Sequence, residues 1–386
     1  MSNVNAAVST CAPNTDTSTV TGYTILTFNT IGTCTWIVPT GLSTIDSLVV
    51  VAGGGGGAGV YTADISSGGG GGGGGGVYAA NSISIPESVT IQIGAGGTGG
   101  VSSSIGRSGI NGAQGGSSAF GTVTAGGGGG GGCEAILTSG TACTTPTMIG
   151  GNGTAAGAGG GASNYYNAYN YGPAGTAASS VFNGRTFTAQ VGYAGGYYNQ
   201  GGSSVTGGAG PGGGARGAAN YNTIGAGHTS SITGSSVEYG KGGSVYGVTG
   251  WSFRASTLGY GTGGDGQRGT NANGAAGAQG VVIVRYKNIP STSVTIANSN
   301  FVYRSSNSIS AVPNLSGRLT FLANNKRIAG CIALPATAWV ARTCNYKPTN
   351  RGTVKISVIL VPTDNSYATV TTQIGQYKVA TRINNR

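Results

Sequence analysis

Residues 68–76 read Gly-Gly-Gly-Gly-Gly-Gly-Gly-Gly-Gly, and shorter runs recur at 53–57 and 126–132. Glycine loses more backbone entropy on folding than any other residue and has no side chain to bury. Nine in a row therefore form no ordinary helix or strand. Either the run is disordered, or it packs backbone against backbone in places where a Cβ would clash.

The surrounding composition favours order. Disordered glycine linkers carry serine and charge and few aromatics, whereas this 386-residue chain has 8% aromatic residues, 7% charged residues and 19 Tyr. A strict Gly-X-Y period is absent and Pro numbers only 11, so the chain is not collagen-like. The ordered alternative is an array of polyglycine-II-like helices. Each has three residues per turn and rises about 3.1 Å per residue, so nine glycines span roughly 28 Å. Such helices have no internal hydrogen bonds, and their N–H and C=O groups must pair with neighbouring segments.

Strand-like segments flank the runs. Tyr23-Thr24-Ile25-Leu26-Thr27-Phe28 and Cys34-Thr35-Trp36-Ile37-Val38-Pro39 alternate around Gly32 and read as a hairpin. Leu48-Val49-Val50-Val51-Ala52 runs straight into the first glycines. Residues 82–85 and 89–94 read as a second strand pair, and Val281-Val282-Ile283-Val284-Arg285-Tyr286 closes the region. From 288 onward glycine falls and short β-branched strands recur at 293–296, 317–322, 339–346, 352–359 and 374–379, the pattern of an Ig-like sandwich. The expected fold class is all-β, with an N-terminal arm (1–20), a glycine-rich β/polyglycine domain (21–287) and a basic Ig-like domain (288–386). No stretch approaches a membrane span. Met1–Asn5 has no basic start or apolar core, so export through a secretory signal is not expected.

Charge is unevenly placed. Residues 288–386 hold eleven Lys/Arg against Asp364, a net +10 of the chain's +11. Arg318, Lys326, Arg327, Arg342, Lys347, Arg351 and Lys355 form either a surface that docks on an acidic protein or anionic envelope polymer, or a merely solubilising one. No nucleic-acid motif accompanies them. The six cysteines form three local pairs, Cys11/Cys34, Cys133/Cys143 and Cys331/Cys344, read as disulfides or as free thiols. With one histidine and no Cys/His cluster, no metal or cofactor site is expected. Gly94-Ala95-Gly96-Gly97-Thr98-Gly99 matches GxGxxG but lacks the following helix and downstream acid of a dinucleotide site. Eight carboxylates without diagnostic spacing and no nucleophile motif point away from catalysis.

The strongest candidate contacts are aromatic. Tyr165, Tyr166, Tyr169, Tyr171, Tyr193, Tyr197, Tyr198, Trp251 and Phe253 lie in inserts between glycine segments. Tyr is a rigid, amphipathic contact residue. These rings either meet a ligand or pack within the slab and against neighbouring subunits.

Residues 21–287 resemble the glycine-rich domain of phage tail and bacterial surface proteins. The likeness rests on the segments at 23–28, 35–39, 48–55, 94–100 and 280–286. The composition is also similar to that of glycine-rich phage tail-tip adhesins, by analogy only. Residues 290–380 resemble an Ig-like module that follows such domains, through 317–322, 326–331 and 344–348. These resemblances imply a virion structural protein (tail fibre, tail tip, head fibre or decoration) at the virion surface. Its expected partners are other virion proteins, a host-surface glycan or envelope protein, and further copies of itself, a trimer being one option. A bacterial adhesin and a capsid cement protein are the alternatives.

Overall fold

The computed structural model describes residues 9–39, 41–60, 68–103, 108–133, 153, 157–161, 179–188, 192–196, 209–220, 223–245, 259–267, 272–296, 301–363, 367 and 369–380. Among them there are strands and extended segments but no helix. The chain divides into two compact units, Met1–Lys287 and Asn288–Arg386.

The first unit is anchored by two packed sheets. One has the strand order Asn14–Asp16, Tyr23–Phe28, Val281–Lys287, Thr44–Val51, Val77–Ser84, and the other Val123–Ala125, Ser118–Phe120, Ser88–Ile93, Gly32–Ile37. The central strand is buried on both faces, which explains its unbroken apolar run. Val282 and Val284 face the second sheet with Leu26, Phe28, Leu48 and Val50, meeting Trp36, Val89, Ile91 and Phe120. Val281 and Ile283 face the other way, with Ile25, Val49, Val51, Ile232 and Tyr239. Burying each such side chain contributes about 1.5–3 kcal/mol.

Two expected pairings differ in the structure. Tyr23–Phe28 and Gly32–Ile37 are not a hairpin. The first pairs with Val281–Lys287, the second with Ser88–Ile93. Their inward aromatic residues meet instead across the two sheets, Phe28 and Trp36 lying 5.9 Å apart edge to face. Likewise Val77–Ser84 pairs with Thr44–Val51 rather than with Ser88–Ile93. The polar start is tied down from residue 9 onward. Asn14–Asp16 extends the larger sheet, and a disulfide joins Cys11 to Cys34.

The second unit has two sheets around one core. Thr292–Ile296, Asn307–Pro313 and Arg342–Tyr346 form the smaller sheet. Phe301–Val302, Val370–Ala380, Gly352–Pro362, Gly317–Ala323 and Lys326–Arg327 form the larger, with Leu334–Ala336 also on Gly317–Ala323. Ile309, Ala311 and Cys344 from the smaller sheet pack on Leu319, Phe321, Val354, Ile356, Val358 and Leu360 from the larger. A disulfide joins Cys344 to Cys331, whose carbonyl accepts the Phe321 N–H, so it ties one sheet to the other. The strand expected from 339 begins at Arg342. Trp339 has φ of 63° and Val340 donates back to the Thr337 carbonyl, so the chain turns there.

Beyond the first unit's sheets the glycine runs are ordered. Every N–H from 69 to 76 donates to a backbone carbonyl, and the acceptors repeat with period three. Residues 69, 72 and 75 donate to Gln267, Gly264 and Gly261. Residues 70, 73 and 76 donate to Gly132, Gly129 and Gly126, while 71 and 74 donate to Gly210 and Gly213. The carbonyls behave alike. Gly70, Gly73 and Gly76 accept from Ala58, Gly55 and Ala52, Gly71 and Gly74 from Gly161 and Ala158, and Gly72 from Gly243. The run thus has six neighbours at three-residue repeat, the arrangement of a polyglycine II helix in a hexagonal lattice. Segment 52–60 is surrounded in the same way by 70–76, 97–100, 110–116, 128–131, 264–267 and 272–278.

Following these bonds outward gives a slab three layers deep. The middle layer is 94–101, 52–60, 68–76 and 210–214. One outer layer is 110–116, 126–133, 157–161 and 192–196, and the other is 272–280, 261–267, 240–245 and a short piece at 225–227. Only glycine fits its centre. From 69 to 75 an added Cβ would lie 2.0–2.6 Å from a backbone oxygen. At Gly72 it would lie 2.1 Å from the Gly55 carbonyl oxygen.

The variant Gly72→Val is therefore expected to abolish folding of the first unit, because the intruded atoms are backbone on all sides and cannot rotate away. Thr98→Val, on the exposed outer side of 94–101, is expected to stay within about 0.5 kcal/mol of the parent. Thermal unfolding of the two variants checks this, and a parent-like melt for Gly72→Val would contradict the packed array.

Candidate functional site

The slab has a framework end and a free end. Segments 52–60, 94–101 and 126–133 each leave a strand of the framework, while 68–76 and 272–280 each run back into one. Val60 pairs with Ala272, and Val245 with Gly266, at the opposite end. Gly161 donates to Gly71 and Gly196 to Pro211, which places both toward that same free end. The aromatic inserts follow these points in the chain. Tyr165, Tyr166, Tyr169 and Tyr171 come after Gly161, Tyr197 and Tyr198 after Gly196, and Trp251 and Phe253 after Val245. Those eight aromatic residues lie outside the described residues. Tyr193 is within them and is exposed. Its N–H donates to Gly214 and its carbonyl accepts from Gly159, so a lattice segment fixes its backbone.

The slab's narrow edge was not anticipated from the sequence. Among the described residues, segment 94–101 ends the middle layer and has lattice neighbours on three sides. Ala95, Thr98 and Val101 carry side chains outward at every third position, between glycines that face inward. That spacing is the signal by which the sequence marks the edge. Beside it lies a cleft of about 520 Å³ lined by Ile31, Ala95, Gly96, Tyr260, Ala278 and Gln279.

A second cleft, of about 350 Å³, lies over the framework between Ala79–Asn81 and residues 228–232, which include the strand His228–Ser230. Arg285 reaches into it, held by Asp46 Oδ2 at 2.8 Å and 3.0 Å and set over the Tyr23 ring. His228 is buried and accepts at Nδ1 from Arg216 Nε at 3.2 Å. Burial, and next the charge of Arg216, hold its pKa below the ordinary histidine value. Among the described residues no three His, Cys, Asp or Glu side chains gather where a metal ion would bind. Asp265 is buried in the array and accepts the Ser244 N–H at 2.7 Å.

The basic residues of the second unit are spread out. Lys326, Arg327 and Lys355 gather at one end of the larger sheet, where Asn324 exchanges backbone and side-chain bonds with Lys355. Arg318 lies toward the other end of that sheet, on Gly317–Ala323 beside Pro335 and Val361. Arg342 is exposed on the smaller sheet with Lys347 just beyond it. Arg351 stacks with Arg304 on the Tyr303 ring. None of the seven forms an ion pair among the described residues. Of the expected disulfides, Cys11–Cys34 and Cys331–Cys344 are formed. Cys133 is buried and disulfide-bonded, while Cys143 lies outside the described residues.

A histidine whose folded pKa is depressed binds its proton more readily in the unfolded chain. Its contribution to stability is present above the unfolded value of about 6.5 and is lost as pH falls below it. The first unit is expected to lose thermal stability as pH falls below about 6.5. His228→Gln, which keeps an acceptor for Arg216, is expected to flatten that slope, as melts across this range would record.

A family model described as a glycine-rich domain matches residues 27–287. No curated protein matches the chain. The match takes in the smaller framework sheet, the larger one from Thr27 onward and the slab, and by it the chain belongs to the glycine-rich domain family.

Proposed function

We propose that this protein is a structural component of a phage particle that binds without catalysing, as a tail-fibre, tail-tip or head-fibre protein at the virion surface. The observation that carries the reading is the slab itself. Backbone packing makes a stiff scaffold, and the aromatic-rich inserts begin in the chain where its segments reach the end away from the framework. Binding groups are disproportionately carried on loops that a rigid scaffold positions. Tyr165, Tyr166, Tyr169, Tyr171, Tyr197, Tyr198, Trp251 and Phe253 would then meet a host-surface glycan or envelope protein by stacking, while Tyr193, level with Gly214 toward the framework end, would not share that surface.

The second unit is read as Ig-like. What supports this is its strand order. Thr292–Ile296 lies in the smaller sheet, but the next strand, Phe301–Val302, crosses over and pairs parallel with the last, Val370–Ala380. The remaining strands divide between the sheets as in an Ig-like sandwich. Its net charge suits docking on an acidic neighbour in the particle. A capsid cement protein would use that surface alone, and a bacterial adhesin would use the aromatic end on a cell.

Immunogold labelling of whole particles and host cells with antibody to residues 288–386 tests the reading. Label on particles is expected, and its position on tail or head separates attachment from decoration. Label confined to the bacterial envelope would replace the phage reading with the adhesin.

A further inference from the structure

A polyglycine II segment has three donor rows and three acceptor rows, each repeating every third residue and each aimed at one lattice neighbour. Segment 94–101 uses them unequally. Gly97 and Gly100 donate to Gly54 and Gly57. The carbonyls of Ala95 and Thr98 accept from Gly116 and Ala113, and those of Gly97 and Gly100 from Gly277 and Gly274. One donor row and two acceptor rows are thus filled. Among the described residues, the N–H groups of Ala95, Thr98, Gly96 and Gly99 have no protein acceptor. The edge is left with two open donor rows and one open acceptor row.

In the donor row of Gly96 and Gly99, Gly96 lines the larger cleft, and Gly99 follows it one repeat along the segment. The row's next member, Ser102, donates to the Asn273 side-chain carbonyl at 2.8 Å, so a side-chain acceptor, in place of a backbone carbonyl, already satisfies this row at one place. The lining of the cleft is mixed, with Ile31 and the Tyr260 ring as its large apolar groups and Gln279 as a polar one. Ile31 is 54% exposed. The Tyr260 ring is held by Asn29 Nδ2 on its hydroxyl at 3.2 Å, and Gln279 Nε2 is tied to the Asn29 carbonyl.

We propose that this edge binds a proline-rich segment in the polyproline II conformation. Such a chain has the same three-residue period and about 3.1 Å rise as the edge. Its carbonyls therefore come into register with Gly96 and Gly99, about 9 Å apart along the axis. Proline has no N–H, so the partner brings acceptors and no competing donors to a donor-rich surface. Its rings pack on Ile31 and Tyr260, as aromatic-lined grooves receive such chains elsewhere. A second copy presenting the same edge by two-fold symmetry would set donor rows against donor rows, which disfavours that occupant.

The test is fluorescence anisotropy of a labelled, end-blocked decaproline peptide titrated with the full chain. Saturable binding is expected, at least tenfold weaker in the surface variants Thr98→Arg and Ile31→Asp and unchanged in Val361→Lys on the other unit. A glycine–serine peptide of equal length is expected not to bind. No saturation at millimolar protein, equal binding by the edge variants, or equal binding of the glycine–serine peptide would overturn the proposal. So would sedimentation showing a dimer that Thr98→Arg dissociates, which would assign the edge to a second copy.

Discussion

Backbone hydrogen bonding between glycine helices is the constraint on which the first unit depends. In an ordinary domain the main chain pairs within helices and sheets and side chains fill the space between. Here the main chain itself is the filling. Segment 68–76 is enclosed by six others, and its N–H groups are taken up in three repeating directions. Because Cα atoms of one segment lie against carbonyl oxygens of the next, any side chain at the centre displaces backbone rather than another side chain. Glycine at these positions is therefore a steric requirement, and flexibility is not its role.

Such a lattice is not self-supporting. Each internal hydrogen bond contributes about 0.5–1.5 kcal/mol net, while fixing each residue costs about 1–2 kcal/mol, at the high end for glycine. The two terms roughly cancel, leaving register and stability to be supplied elsewhere. The sheets do this. Thr44–Val51 and Val281–Lys287 pair residue for residue and continue directly into 52–60 and back from 272–280, so their register becomes that of the lattice. The buried aliphatic and aromatic residues on both faces of the larger sheet supply the hydrophobic stabilisation that the slab lacks.

Much of this was legible in the sequence. Uninterrupted glycine with tyrosine and little charge pointed to an ordered array, and the apolar runs at 48–52 and 281–286 marked the strands that clamp it. Strand partners were less legible. Tyr23–Phe28 and Gly32–Ile37 are adjacent and both alternate, which suits a hairpin, yet Phe28 and Trp36 pack across a sheet interface that only distant strands complete. The edge was written in the sequence as Ala95, Thr98 and Val101 at intervals of three, a period that belongs neither to an α-helix nor to a strand. His228 and Arg216 meet only through the fold, and no local pattern announces them.

The division of labour follows from these physics. A backbone-packed slab leaves its ends and edges as the places where side chains accumulate, and those are where binding is proposed. The measurement that bears most directly on this account is amide hydrogen exchange of residues 69–76 in the folded protein. If they are the enclosed centre of a lattice, they exchange only through opening of the first unit, at rates matching the core strand Val281–Lys287. Exchange at the rate of an unstructured glycine peptide would mean that the runs are not packed, and the account of the slab would fail.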